Sequence, residues 1–187
     1  MNKRDKFFFF GFGQSAKYFV KNLIQSKKKF SFSATNTKKT SFKSFNKKKY
    51  VSFKFKDKFY DKRLTQNLLK ADYILISIPP QKKRDIVLNN FKTVLRRSTF
   101  KKLIYLSATS VYGNHKGNWV NENSKLKGNT KFGFGRKIVE KAWLKFRNES
   151  QQDINILRVS GIYSTENNVL KKILKTSIYV KEKKYFS

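Results

Sequence analysis

Phe7-Phe8-Phe9-Phe10-Gly11-Phe12-Gly13-Gln14-Ser15-Ala16-Lys17-Tyr18-Phe19-Val20-Lys21-Asn22-Leu23-Ile24 is the stretch on which the fold turns. Phe7–Phe10 is a short run with no polar residue, the pattern of a strand buried on both faces of a parallel sheet. Ala16, Phe19, Val20, Leu23 and Ile24 then recur at i, i+3, i+4, i+7 and i+8, which predicts an amphipathic helix. Between the two lies Gly11-Phe12-Gly13-Gln14-Ser15-Ala16, a G-x-G-x-x-A turn. Gly11 permits a tight turn, and Gly13 lets backbone approach a pyrophosphate with no side chain in the way. Ala16 is small enough for helix and strand to pack closely, and the helix start at Gln14 and Ser15 turns its amides and positive end to the phosphates. The motif is weak in isolation and is strengthened by its place between an apolar strand and an amphipathic helix.

Outward from this unit, strand and helix alternate. Phe30–Thr35 and Tyr50–Phe55 read as the second and third strands, with Lys39–Lys49 between them as a basic connection of no clear period. Leu64–Leu69 reads as part of a helix, and Tyr73–Ile78, closed by Pro79-Pro80, as a strand. Val87, Phe91, Val94 and Leu95 give helical spacing over Ile86–Leu95. Leu103–Leu106 is another apolar strand, followed by the turn-rich Ser107–Gly113 and a loop over Gly113–Asn129. From Arg136, the residues Ile138, Val139, Ala142, Trp143 and Phe146 form a helical stripe. Ile154–Val159 is a last strand, and Val169–Leu174 begins a short helix. The expectation is an α/β fold of the Rossmann type, a doubly wound parallel sheet with helices on both faces.

The second strand bears on cofactor choice. An acidic residue about 20 positions after the glycine turn would hold the ribose 2′-hydroxyl of NAD. Here Ser33-Ala34-Thr35-Asn36-Thr37-Lys38-Lys39 carries no acid. The hydroxyls, Thr35 among them, the amide of Asn36 and the two lysines Lys38 and Lys39 suit a 2′-phosphate, so NADP is expected over NAD.

Tyr105-Leu106-Ser107-Ala108-Thr109-Ser110-Val111-Tyr112-Gly113 with Trp119-Val120-Asn121-Glu122, and Leu157-Arg158-Val159-Ser160-Gly161-Ile162-Tyr163, extend the picture. Together with the glycine turn and Ser77-Ile78-Pro79-Pro80, they resemble the extended and atypical short-chain dehydrogenase/reductases, the NAD-dependent epimerase/dehydratase group, nearest to small nucleoside-diphosphate-sugar epimerase-like proteins. The resemblance implies a nicotinamide cofactor across the carboxyl ends of the strands, touched by Ser77, Ile78 and Pro79. It also implies a sugar-nucleotide-like substrate beyond, in an oxidoreductase, epimerase or dehydratase. The family's mechanism uses a Tyr as acid/base, a Lys four residues later and a Ser or Thr near the substrate hydroxyl. At the matching positions stand Phe132, Arg136 and Ala108. A phenyl ring has no proton to give, whereas a phenol must ionise far below its free pKa of about 10 to do this chemistry. Arg136 can still hold ribose hydroxyls, Thr109 adjoins Ala108, and Tyr112 brings a nearby phenol. Thr109, Tyr112 and Arg136 are thus the candidate catalytic residues. His115 reads as a loop residue, Glu122 as either a cap or substrate contact or a polar loop residue, and Arg136 with Glu140 as an i, i+4 surface pair.

Composition sets further bounds. The 187 residues suit one domain, with 19 Phe supplying apolar volume. Absence of Cys excludes disulfides and thiolate chemistry, and a single histidine, His115, leaves no metal centre to expect. No apolar stretch is long enough for a membrane span and no signal peptide is read, so a cytoplasmic protein is expected. The formal charge is +33, from 44 Lys+Arg against 11 Asp+Glu. Because the lysines are dispersed, this reads as solvated surface with non-specific polyanion binding. Residues 1–163 are expected as the NAD(P)-binding domain and 164–187 as the start of an incomplete C-terminal substrate region. That ending predicts a fragment or a reduced protein, with marginal stability or self-association as a homodimer. The alternatives to an enzyme are a non-catalytic NADP-binding sensor or scaffold and, with charge alone behind it, a nucleic-acid-associated protein.

Overall fold

A computed structural model describes residues 4–81 and 83–162. The element order is β1 (Asp5–Phe10), α1 (Gln14–Gln25), β2 (Phe30–Asn36), β3 (Ser41–Phe45), β4 (Lys48–Lys56), β5 (Phe59–Tyr60), α2 (Arg63–Leu69), β6 (Tyr73–Ile76), α3 (Ile86–Arg97), β7 (Lys102–Ala108), α4 (Lys131–Ser150) and β8 (Ile154–Val159). A single 3-10 turn, Thr109–Val111, follows β7. The expected helix at Val169–Leu174 and the region 164–187 lie outside the described residues.

Six strands run parallel in the order β4-β2-β1-β6-β7-β8. The chain starts at the centre, winds outward through β2 and β4, then crosses back beside β1 with β6 and winds the other way. That is the doubly wound order, and its switch point, the place where ligands seat in such sheets, lies between the carboxyl ends of β1 and β6. The parallel α/β sheet expected from sequence is therefore present. Among the described residues no helix is long and apolar enough to cross a membrane.

Phenylalanine builds the sheet's interior. On one face Phe8, Phe10, Phe53, Phe55, Ile74, Ile76, Leu103 and Tyr105 meet Leu64 and Leu68 of α2, Phe91 of α3 and Trp143 of α4. Ring pairs such as Phe10–Phe91 and Phe55–Phe91, 5.5 and 5.4 Å between centroids, sit in the range where aromatic contacts add to simple burial. On the other face Phe9, Phe30, Phe32, Ala34 and Tyr50 take Ala16, Val20 and Leu23 of α1.

The structure corrects five expectations. Lys39–Lys49 is not a plain connection: it contains β3, an antiparallel edge strand paired with β4 through a two-residue turn. Asn46 and Lys47 in that turn both have positive φ, 46° and 61°, as a type I′ hairpin demands. The strand at Tyr73 ends at Ile76, because Ser77 already turns back to the backbone of β1. Helix α4 starts at Lys131 rather than Arg136: Thr130 caps it, its Oγ1 accepting from the amide of Gly133 at 3.0 Å. Its buried stripe runs through Gly133, Gly135, Val139, Glu140, Trp143 and Phe146, while Ile138 and Ala142 face outward. Phe19, expected on the buried face of α1, is also largely exposed.

Candidate functional site

The glycine turn occupies the switch point. Gly11 has φ +86°, a conformation L residues avoid, and a Cβ there would come within 2.8 Å of Ser77 Oγ. The turn is fastened on both sides. Its Gly11 amide donates to Thr35 Oγ1 at 2.8 Å, and the amide and hydroxyl of Ser77 donate to the Phe10 carbonyl at 3.0 and 3.1 Å. Phe12 anchors it from below, its ring 5.4 Å from Phe32 and 5.1 Å from Tyr50. Gly13 is the opposite of Gly11. A Cβ there would meet nothing within 4 Å, and its φ of −82° is ordinary. Gly13 is the N-cap of α1, no side chain caps that helix and no acid lies in its first turn. An open approach to the positive end of a helix suits a phosphate, and the residues present fit the pyrophosphate of a dinucleotide. Gln14 and Ser15 are half-buried in that first turn, and Ala16 is fully buried against the sheet.

Two of the residues expected to touch cofactor have clear structural duties. Thr35 is buried with its oxygen given to Gly11, so it holds the turn in place. Ser77 does the same from the position just after β6, while Ile78 lies beside Gly11 and Pro79 is exposed next to it. Lys38 is exposed on the loop after β2, its amide donating to Asn36 Oδ1 at 2.7 Å.

The candidate catalytic residues cluster where β7 ends and α4 begins. Ala108 ends β7, and Thr109 opens the 3-10 turn, both half-buried. The first turn of α4 lies so close to this turn that a Cβ on Gly133 would collide with the Ser110 carbonyl. Phe132 points outward from α4 and is 78% exposed. Arg136 is half-buried and reaches β7, its Nη1 donating to the Leu106 carbonyl at 3.4 Å. Near it the Tyr105 hydroxyl is buried. Burial above all, with the Asp85 and Glu140 carboxyls, pushes its pKa up against the pull of Arg136, so it stays a neutral phenol.

Tyr112 is held in a network that the sequence did not disclose. Glu140, 1% exposed, does not pair with Arg136 across the helix surface as the i, i+4 spacing suggested. It accepts from Arg158 Nη2 of β8 at 3.0 Å and from Nε at 3.2 Å. The remaining guanidinium nitrogen donates to Tyr112 Oη at 3.0 Å and to the Glu122 carbonyl at 3.2 Å. A buried carboxylate with a forked cation is a strong, directional contact. Here it fastens the 113–129 loop to β8 and α4. His115 lies on that loop, half-buried, with Nε2 3.0 Å from the Lys125 carbonyl. Glu122 joins through its backbone only, its side chain being exposed. The spacing of Glu140 and Arg158 carries no signal for this pair, because β8 meets α4 only in the tertiary fold.

This arrangement, a doubly wound sheet with a glycine turn at its switch point, is a Rossmann-type fold. No family model matches the sequence, and no curated protein does. Solved structures match the fold. A conserved protein of unknown function from Silicibacter pomeroyi DSS superposes with a TM-score of 0.73 at 22% identity, over 93% of this chain and 58% of that one. UDP-glucuronic acid 4-epimerase from Bacillus cereus, solved in complex with NAD, gives 0.68 at 16% identity, over 84% and 56%. dTDP-glucose 4,6-dehydratase from Bacillus anthracis str. Ames, also in complex with NAD, gives 0.64 at 16%, over 87% and 56%. The chain thus spans less than three-fifths of the length of each.

Proposed function

We propose that this chain binds a nicotinamide dinucleotide, NADP in preference to NAD, as the nucleotide-binding part of an epimerase/dehydratase-like protein acting on a sugar nucleotide. The observation behind the reading is the pairing of Gly11 and Gly13. One glycine is required by the turn itself, while the other leaves open space at an uncapped helix start. Gly13, Gln14 and Ser15 would hold the pyrophosphate, and Arg136 the nicotinamide ribose. A bound dinucleotide supplies a hydride donor or acceptor. The chain's own residues at the β7–α4 end do not supply the usual acid/base pair. Phe132 has no ionisable group, the Tyr105 phenol beside Arg136 is buried and held neutral, and Tyr112 is tied to Arg158. Thr109 adjoins Ala108, which stands at the position that faces substrate in the resembling enzymes.

Those features favour a second reading, a dinucleotide sensor without hydride transfer. Calorimetric titration with NADPH and with NADH tests binding, with NADPH expected to bind more tightly. Failure of both to bind would overturn either reading. Absorbance at the reduced-nicotinamide band with a panel of sugar nucleotides then separates enzyme from sensor. Turnover supports the first, and retained binding without turnover the second.

A further inference from the structure

Asp85, Tyr105 and Trp143 bring three polar groups into the part of the core where α3, β7 and α4 meet. Tyr105 lies on the inward face of β7, between Leu103 and Ser107, and is fully buried. Trp143 comes from the buried stripe of α4 and is fully buried as well. Their rings lie nearly parallel, with centroids 5.9 Å apart and 25° between the planes. Asp85 is buried too, as the N-cap of α3. It accepts from the amides of Val87 and Leu88, each at 2.8 Å and both through the same oxygen, Oδ1. The cap makes no use of Oδ2.

Among the described residues neither the Tyr105 hydroxyl nor the Trp143 Nε1–H has a hydrogen-bond partner, although both are buried. Native interiors seldom leave such groups unpaired, because a donor stripped of water and given nothing in return destabilises the fold. Both groups nevertheless lie close to charge. Burial pushes the Asp85 carboxyl up in pKa, and the Leu88 amide, the indole N–H of Trp143 and the Val87 amide pull it back. Burial and then the Asp85 carboxyl push the Tyr105 hydroxyl up in the same way. The indole is thus within electrostatic reach of the carboxyl yet outside hydrogen-bond geometry, the separation at which a water stands between two polar groups.

We infer that Asp85, Tyr105 and Trp143 form a binding site for one internal water molecule, which joins the start of α3 to β7 and to the middle of α4. The three groups have complementary capacities. The indole only donates, the carboxylate only accepts, and the phenol does both. A water that accepts from Trp143 Nε1 and donates to Asp85 Oδ2 keeps one hydrogen and one lone pair for Tyr105. That makes three bonds, the usual number for a buried water. Apolar packing among these elements has no direction, and the water adds directed bonds to it. Asp85 serves two elements at once, capping α3 through one oxygen and holding the water through the other.

The test is a crystal structure of the full chain at a resolution that shows ordered solvent, together with melting curves of variants. One water is expected within about 3.2 Å of Trp143 Nε1, Tyr105 Oη and an Asp85 oxygen. Tyr105→Phe keeps the ring and removes the hydroxyl, and it should lower the melting temperature by roughly 2–4 °C, because a bond to the water is lost. An unpartnered hydroxyl predicts the opposite, a rise, since a phenyl ring is buried with no polar group to desolvate. Asp85→Asn keeps a capping oxygen for α3 and changes the group that faces the water. Combined with Tyr105→Phe, it should lower the melting temperature by less than the two single shifts added together, because both act on one water. Any of four results overturns the site: no solvent density among the three ordered side chains, a protein side chain in the water's place, an unchanged or raised melting temperature in Tyr105→Phe, or shifts that simply add.

Discussion

Gly11 and Gly13 stand two positions apart, yet the surrounding chemistry gives them opposite fates on substitution. Gly11→Ala forces a side chain into φ +86° and against Ser77 Oγ, so a loss of roughly 1–3 kcal/mol is expected. Gly13→Ala meets no neighbour and keeps an allowed φ, so its stability cost should stay under about 1 kcal/mol while dinucleotide affinity falls. Thermal melts read by tryptophan emission, set beside NADPH titration, separate the two. Trp143 is fully buried and reports unfolding, whereas Trp119 is already exposed. Equal melting temperatures for the two variants would refute the division of labour. At this scale the glycines were legible in the sequence because each job has one residue suited to it. The Arg158–Glu140–Tyr112 contact was not. Its partners are 18 and 46 residues from the arginine, and nothing local marks them.

Among the elements, β1 and α1 could be read from the chain because their apolar run and stripe match their burial, Phe19 apart. The hairpin β3–β4 could not, because Phe42 and Phe45 are three apart and cannot share a face. Phe42 is 85% exposed, while Phe45 packs against the Phe12 ring at 5.5 Å. The hairpin therefore buttresses the glycine turn, although its own alternation is poor. The start of α4 was hidden for a different reason. Gly133 reads as a break, but it is needed where the helix meets the Ser110 carbonyl. The hairpin also carries an avoidable strain, since Lys47 sits at φ 61° in a position that favours glycine. Lys47→Gly should stabilise the chain by up to about 1 kcal/mol, a rise of roughly 2–4 °C in melting temperature. An unchanged or lowered melting point would argue against the I′ turn.

Over the whole molecule the charge dominates. Among the described residues few basic side chains find a carboxylate, and Glu149 is shared by Lys92, Arg96 and Lys145. A surface of dispersed, unpaired cations should bind RNA without sequence preference, by releasing counterions. Filter binding is expected to show retention at about 20 mM salt and to lose it steeply towards about 300 mM. Retention that ignores salt would point instead to base recognition. Charge and composition could be read at once from the sequence, but which cations lie side by side could not, because that depends on strand pairing such as that of β2 with β4.

The fork from Arg158 to Glu140 also sets an order of events during synthesis. Helix α4 leaves the ribosome before β8, so for a time Glu140 has no cation to meet it. Burying an unpaired carboxylate costs several kcal/mol, which disfavours docking of α4 until the strand arrives. The half of the sheet beyond β6 therefore closes late, and closes together. A nascent chain halted short of Arg158 would hold a finished glycine turn beside an open flank, a form that chaperones and proteases can tell from the completed fold.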